Sequence, residues 1–295
     1  MRSAEGPRRD LLRYPIVTDT YELLPGVPHR LDDGVTRIIA PNGGMMTGAG
    51  TNTYLVGTTE LIVIDPGPDD ESHIRAILTA AAGRIRWILC THTHSDHAPG
   101  AARLHALTGA PVGAMVAPRT DHDFDLNVDR VLADGDSIQC AKVDVRAIHT
   151  PGHASNHICF LLTGNGMLFT GDHIMQGSTV VIWPPDGNMR AYIGSLRRLL
   201  GIDIQVLAPG HGHLIEQPRD ELNRLIQHRL RREDKVRQAV LRADAGVTVE
   251  MLLPSAYDDV SQSLYKWAAL SLRAHLDKLV EDGELRRSDG RYCRT

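Results

Sequence analysis

The chain has 295 residues, 42% hydrophobic and 23% charged, with a formal net charge of −4. That is room for one large domain and a small one around a sizeable core, and the near-neutral charge gives no global electrostatic case for nucleic acid or a membrane surface. No apolar run approaches the ~18 residues of a membrane span. Met1 to Asp10 lacks the hydrophobic segment of a secretory signal. The four cysteines, Cys90, Cys140, Cys159 and Cys293, form no Cys-x-x-Cys pair. A cytoplasmic protein without disulfides is expected.

In chain order, residues 1–30 are rich in Pro and Arg and predict an extended arm. Val35 to Ile39 is a short strand. Thr53 to Val56 and Glu60 to Ile64 are two strands joined around Gly57. Ile74, Ile77 and Leu78 have helical spacing, predicting a helix from Glu71 to Ala82. The apolar run Ile85 to Cys90 is a buried strand, Ala101 to Leu107 a helix, and Val112 to Val116 a strand. Pro118 to Arg130 carries Asp121, His122, Asp123, Asp125 and Asp129 without calcium-loop spacing, and predicts a solvated loop. Ile158 to Leu162 and Met167 to Phe169 flank the turn Gly164-Asn165-Gly166. Met189 to Leu200 is a helix and Ile204 to Leu207 a short strand.

The chemistry concentrates in Thr91-His92-Thr93-His94-Ser95-Asp96-His97, placed between a buried strand and a helix. Imidazole nitrogen and carboxylate oxygen both suit zinc. Alternation lets His92 and His94 reach one ion while Asp96 and His97 turn to another. Three further strands end in the same way, at Thr150-Pro151-Gly152-His153, at Thr170-Gly171-Asp172, and at Pro209-Gly210-His211. In each an apolar strand stops, a glycine frees the backbone, and one ligand-type side chain stands at the tip.

Asp65, His92/His94/Asp96/His97, His153, Asp172 and His211, in that order, resemble the motifs of the metallo-β-lactamase superfamily over residues 35–215. The resemblance implies an α/β fold, a four-layer αβ/βα sandwich with metals at one edge of its sheets. It implies two zinc ions, with iron or manganese able to occupy similar sites. His92, His94 and His153 would bind the first, and Asp96, His97 and His211 the second. Asp172 would bridge them, and Asp65 would orient the ligand loop. The implied nucleophile is a hydroxide bridging the metals, which Asp96 also orients. True β-lactamases of the superfamily lack the bridging aspartate, which argues against β-lactam hydrolysis. His157 is read as structural or as a support for the ligands rather than a ligand itself, and His173 and His213 as candidate proton donors.

The tail predicts an amphipathic helix from Asp220 to Leu241 with Arg224, Arg229, Arg231, Arg232, Lys235, Arg237 and Arg242 mostly off its apolar stripe, read as a solvated face with a polyanion-binding face as the alternative. A short helix near Val249, a longer one from Ser263 to Asp282, and a hairpin around Asp289-Gly290 complete the parts of a winged helix. The third helix offers only Lys266, Arg273 and Lys278 beside Asp277, Glu281 and Asp282, so no duplex DNA binding is expected. The expected division is an arm at 1–30, a catalytic domain at 31–217 and a winged helix at 218–295. This pairing is similar to the β-lactamase-like protein 2 group, whose animal member is a single-strand endoribonuclease. Single-stranded RNA is therefore one expected substrate. A small-molecule ester, thioester or lactone is the alternative, and a catalytically inactive binding module is a third reading. No membrane partner is expected.

Overall fold

The computed structural model describes residues 22–116 and 123–295. One sheet contains β1 (His29–Asp32), β2 (Val35–Ile39), β3 (Asn52–Gly57), β4 (Leu61–Ile64), β5 (Ile85–Leu89), β6 (Val112–Ala114) and β7 (Arg130–Val131), in that spatial order. Pairing is antiparallel from β1 to β4 and parallel from β4 to β7. Helices α1 (Glu71–Ala81) and α2 (Pro99–Thr108) supply parallel crossovers. Asp70 caps α1 by accepting a bond from the His73 amide at 2.9 Å.

The second sheet contains β8 (Ser137–Cys140), β9 (Val143–His149), β10 (Ile158–Leu162), β11 (Met167–Gly171) and β12 (Val206–Pro209), in the order β12-β11-β10-β9-β8. Helix α3 (Met189–Leu199) crosses from β11 to β12. The tail follows as α4 (Pro218–Leu241), α5 (Val249–Ala256), α6 (Tyr265–Glu281) and the hairpin β13 (Leu285–Ser288) and β14 (Arg291–Arg294).

Side-chain alternation along the strands builds the layers. On β4, Ile62 and Ile64 enter the core between the sheets, while Leu61 and Val63 pack under α1 and α2. On β11, Met167 and Phe169 enter that same central core, while Leu168 faces α3 and α4. On β10, Phe160 points inward and Cys159 and Leu161 outward. Three apolar interfaces of this kind are what a four-layer αβ/βα sandwich requires. Phe160 is fully buried, so Phe160→Ala would cost about 3–5 kcal/mol. No described helix is long and apolar enough to cross a membrane.

Helix α4 belongs to two cores. Leu222, Leu225 and Ile226 pack against α3 and the second sheet, while Val236 and Val240 pack with α5, α6 and the hairpin. Tyr292 pairs with Val247 and completes the small domain, a winged helix in shape.

Three expectations are corrected here. The arm does not extend to residue 30, because His29 and Arg30 already pair with β2; residues 1–21 lie outside the described residues. The stretch 118–130 is not all solvated loop. Phe124, Leu126 and Val128 pack against the core under α1 and α2, an alternation hidden among the aspartates. Asp121 and His122 lie outside the described residues. Third, the basic residues of α4 are not all on a solvated face. Arg229 and Arg232 are buried, because the helix is covered by the tail on one side and by the 175–181 segment on another.

Candidate metal centre

Every predicted site residue except His94, Asp96 and His97 stands within four residues of a strand's C-terminal end, and those three ride the loop leaving β5. Asp65 follows β4, His92 follows β5, His153 follows β9, Asp172 follows β11, and His211 follows β12. The strands of both sheets end at one edge, so the tips converge. Two glycines allow the approach. A Cβ on Gly210 would lie 2.7 Å from His97 Cε1 and 2.9 Å from Asp172 Oδ1. Gly171 has φ +45, and a Cβ there would lie 2.4 Å from Thr91 Oγ1.

The convergent side chains form two groups: His92, His94 and His153; and Asp96, His97, Asp172 and His211. In the first, His94 Nδ1 lies 3.0 Å from His92 Nε2 and 3.1 Å from His153 Nε2. In the second, Asp172 Oδ1 lies 3.3 Å from His97 Nε2 and 3.2 Å from His211 Nε2. Asp96 Oδ2 is 3.3 Å from the same His211 atom. Asp172 Oδ2 is 3.7 Å from His153 Nε2, so its carboxylate faces both groups.

The outward ring nitrogens of His92, His97, His153 and His211 are engaged, which orients each of these rings. His153 Nδ1 donates to the Val181 carbonyl at 2.9 Å, and His211 Nδ1 donates to the Gly50 carbonyl at 3.2 Å. Asp65 organises the rest. Its Oδ1 accepts from the Thr91 amide at 2.7 Å, and its Oδ2 accepts from the Thr91 hydroxyl at 2.8 Å and His97 Nδ1 at 2.9 Å. With the Thr91 proton given to Asp65, Thr91 Oγ1 is left to accept from His92 Nδ1 at 3.0 Å. Asp65 itself sits at φ 49, a left-handed conformation that Asp tolerates better than most residues. The Nε2 atoms of His92, His97, His153 and His211 therefore face inward. At His94 Nδ1 one proton can satisfy only one of the two neighbouring imidazoles. The buried atoms His97 Nε2 and Asp172 Oδ1 have no hydrogen-bond partner among the described residues. Converging imidazole nitrogens and carboxylates, with two buried inward atoms left without a partner, are the donor set of a divalent cation, which would displace the protons that His97 and His211 otherwise hold, so these residues fit metal.

The electrostatics split the same way. Burial pushes His92 well below the ordinary imidazole range, with neighbouring imidazoles adding to it. Burial, then His153, brings His94 to about 4. Burial also opposes charge on His97 and His211, but carboxylates outweigh it. Asp96, Asp172 and Asp65 hold His97 well above its usual range, and Asp172 with Asp96 raises His211 to about 9. Burial opposes charge on Asp172, yet His211 and His97 hold it well below the carboxylate range. In the first group His92 and His94 are held neutral; the second is a compensated set of two carboxylates and two imidazoles.

His157 is fully buried, bonded through Nδ1 to Thr150 Oγ1 at 2.9 Å, with its ring centre 5.1 Å from that of His92. That is a packing position behind the first group. His173 is likewise buried, against Tyr192 at 4.9 Å, and does not reach solvent as a proton donor would. Thr91 and Val181 were missed as supporting residues. Thr91 opens the histidine motif and was legible; Val181 acts through its carbonyl, which no side-chain pattern reveals.

The profile of the metallo-beta-lactamase superfamily matches residues 46–211, and that of the beta-lactamase associated winged helix domain matches 248–291. The Drosophila melanogaster beta-lactamase-like protein 2 homolog is 32% identical over 284 residues, covering 90% of this chain and 93% of that protein. The chain belongs to the metallo-beta-lactamase superfamily. Its members are generally metal-dependent hydrolases, and this chain is one by family. It is also 35% identical over 278 residues to the lactamase-like protein adaB of Aspergillus niger, with 88% of this chain and 84% of that one covered. In fold it is similar to a beta-lactamase domain protein from Burkholderia ambifaria, with a TM-score of 0.77 at 20% identity over 96% of this chain and 97% of that one.

The superfamily site opens into a cleft of about 520 Å³. Phe124, Met175, Val180, Val181 and Trp183 line it from the catalytic domain, and Trp267 of α6 reaches in from the winged helix. The tail thus forms part of the cleft wall. Trp183 and Trp267 meet edge to face, with centroids 6.1 Å apart. His213 does not line this cleft.

Proposed function

We propose that the chain is a dinuclear zinc hydrolase of a small ester or thioester with an apolar body. His92, His94 and His153 would hold one ion and Asp96, His97 and His211 the other, with Asp172 between them. Two bound ions supply an acidified water as nucleophile and a counter-charge for the oxyanion that develops. The protein's part is to orient these donors through Asp65 and Thr91 and to keep bulk water from the apolar side of the cleft. Asp96 lines the cleft and its side chain is 28% exposed, so its carboxylate can accept a proton from water entering there.

One observation carries the choice of substrate: the lining of the cleft. Its walls are aromatic and aliphatic, and its charged residues are Asp96, Asp123, Asp172 and Asp186, with no Lys or Arg among the described residues. A nucleic-acid backbone needs cations along its path. Of the α4 cations only Arg229 and Arg232 reach the adjoining space, and two buried guanidinium groups are no phosphate track. Arg232 is held by Asp259 at 2.7 and 2.9 Å, Lys235 by Asp258, and Arg224 by Glu221 at 2.6 Å. Arg231, Lys235 and Arg242 line a separate depression that holds no metal-site residue. An apolar body of moderate size suits the volume and lining.

Single-stranded RNA is the second reading. Trp183, Trp267 and Phe124 beside the metal centre are platforms on which bases stack. The discriminating experiment is a panel of labelled single-stranded RNA, a bis-aryl phosphodiester, an aryl ester, an acyl thioester and a lactone, run beside His94→Ala. Ester or thioester turnover absent from His94→Ala is expected. RNA cleavage above that control, with no ester turnover, would reverse the assignment.

A further inference from the structure

The cleft continues into a second lobe of about 540 Å³, walled by α4, α6 and the 175–181 segment. The two lobes share Met46, Met175, Val180, Val181 and Trp267, so one ligand can span both. This lobe contains a charge that the described residues leave uncompensated. Arg229 lines it and is only 2% exposed. Its Nη2 donates to the Val180 carbonyl at 2.5 Å, and its guanidinium lies 5.1 Å from the centre of the Tyr192 ring. Its Nε has no hydrogen-bond partner among the described residues. No ion pair within 4 Å joins Arg229 to a described carboxylate, whereas Arg232, one turn along, is clamped by Asp259. The nearest acid on the same helix face, Glu233, is engaged by His275 and Lys278.

A buried guanidinium without a counter-charge is unfavourable unless a ligand brings one. Two more groups without a partner among the described residues line the same lobe. One is the buried Tyr257 hydroxyl, the other His228 Nδ1. A planar cation and a phenol donor lining one lobe match an anionic oxygen group.

We propose that this lobe is an anion subsite, which takes a carboxylate or phosphate carried by the substrate. Arg229 compensates the charge, Tyr257 donates a second hydrogen bond, and the apolar body of the ligand runs along Val180 and Trp267 toward the metal centre. The proposal deepens the hydrolase reading, on which its substrate class rests: an ester or thioester with an anionic group at the end remote from the scissile bond.

The test is calorimetric titration of the metal-loaded full chain with benzoate, phenyl phosphate and neutral benzyl alcohol. At least one anion is expected to bind about tenfold more tightly than the alcohol, the scale of a charge-assisted hydrogen bond. Arg229→Gln should erase that preference while leaving benzyl alcohol unchanged, and Tyr257→Phe should weaken the anion about fivefold. Which anion prefers wild type tells carboxylate from phosphate. Binding at the metals instead would give anion affinities indifferent to both variants, and would overturn the subsite. No anion preference in wild type would do so too. If Arg229→Gln does not fold, Tyr257→Phe decides by itself, since it removes one oxygen. Arg229-dependent binding without ester turnover would retain the subsite and reject the hydrolase substrate reading; turnover without such binding would do the reverse.

Discussion

Replacing Asp65 by Asn keeps the side chain's shape and changes one of its two ends from acceptor to donor. The Thr91 amide can only donate, so the Asn carbonyl must take the Oδ1 position, 2.7 Å from it. The Asn NH₂ then lies where Oδ2 was, facing His97 Nδ1 at 2.9 Å and Thr91 Oγ1 at 2.8 Å. Two donors now oppose each other at His97. The ring escapes by moving its proton to Nε2, which removes the inward lone pair of the second group. His92 is affected less directly, because Thr91 Oγ1 can still accept from it. Loss of an outer hydrogen-bond partner of this kind costs about 10- to 100-fold in metal affinity, or about 1.4–2.8 kcal/mol. The expected result is selective weakening of one of two metal equivalents. Competition against a chromophoric chelator measures it, with metal content by elemental analysis. Two equivalents bound as tightly as in wild type would refute the claim that Asp65 sets the His97 tautomer.

Three further outcomes are expected. Asp172→Ala should lose both metal equivalents and hydrolysis together, because its carboxylate faces both groups; a variant holding two metals with full turnover would rule that out. Gly210→Ala should keep its circular dichroism spectrum but bind metal about tenfold or more weaker, since the new Cβ lies 2.7 Å from His97 Cε1; unchanged metal titration would contradict the close approach. His275 supplies a pH prediction remote from the metals. Burial, opposed by Glu233, lowers it to about 4, against ~6.5 unfolded, so the unfolded chain binds more protons between these values. Stability from this group is intact above 6.5 and falls as pH drops toward 4, by at most about 3 kcal/mol. Thermal melts of wild type and His275→Gln should diverge over that window, and parallel curves would refute the assignment.

Much of the centre was legible in the sequence because strand-end ligands announce themselves locally. An apolar run, a glycine and one His or Asp mark a tip, and the spacing within Thr91 to His97 separates two ligand directions. The layers were legible for the same reason, since alternation along β4, β10 and β11 states which side chain faces which core. Asp65 was recognisable by its place in the series, but its hydrogen bonds to Thr91 and His97 depend on β4 and β5 lying side by side. What the sequence by itself could not decide was where the long basic helix points. Arg229 and Arg231 are two residues apart and alike in type, yet one lines a lobe of the cleft and the other a separate depression. Burial of a helical residue is set by what packs on each face, and α4 is covered by elements from both domains. Composition carries no trace of that arrangement. Only the tertiary structure separates an arginine buried at the cleft from its neighbours held by surface carboxylates, and with them the case for a small apolar substrate bearing an anionic group.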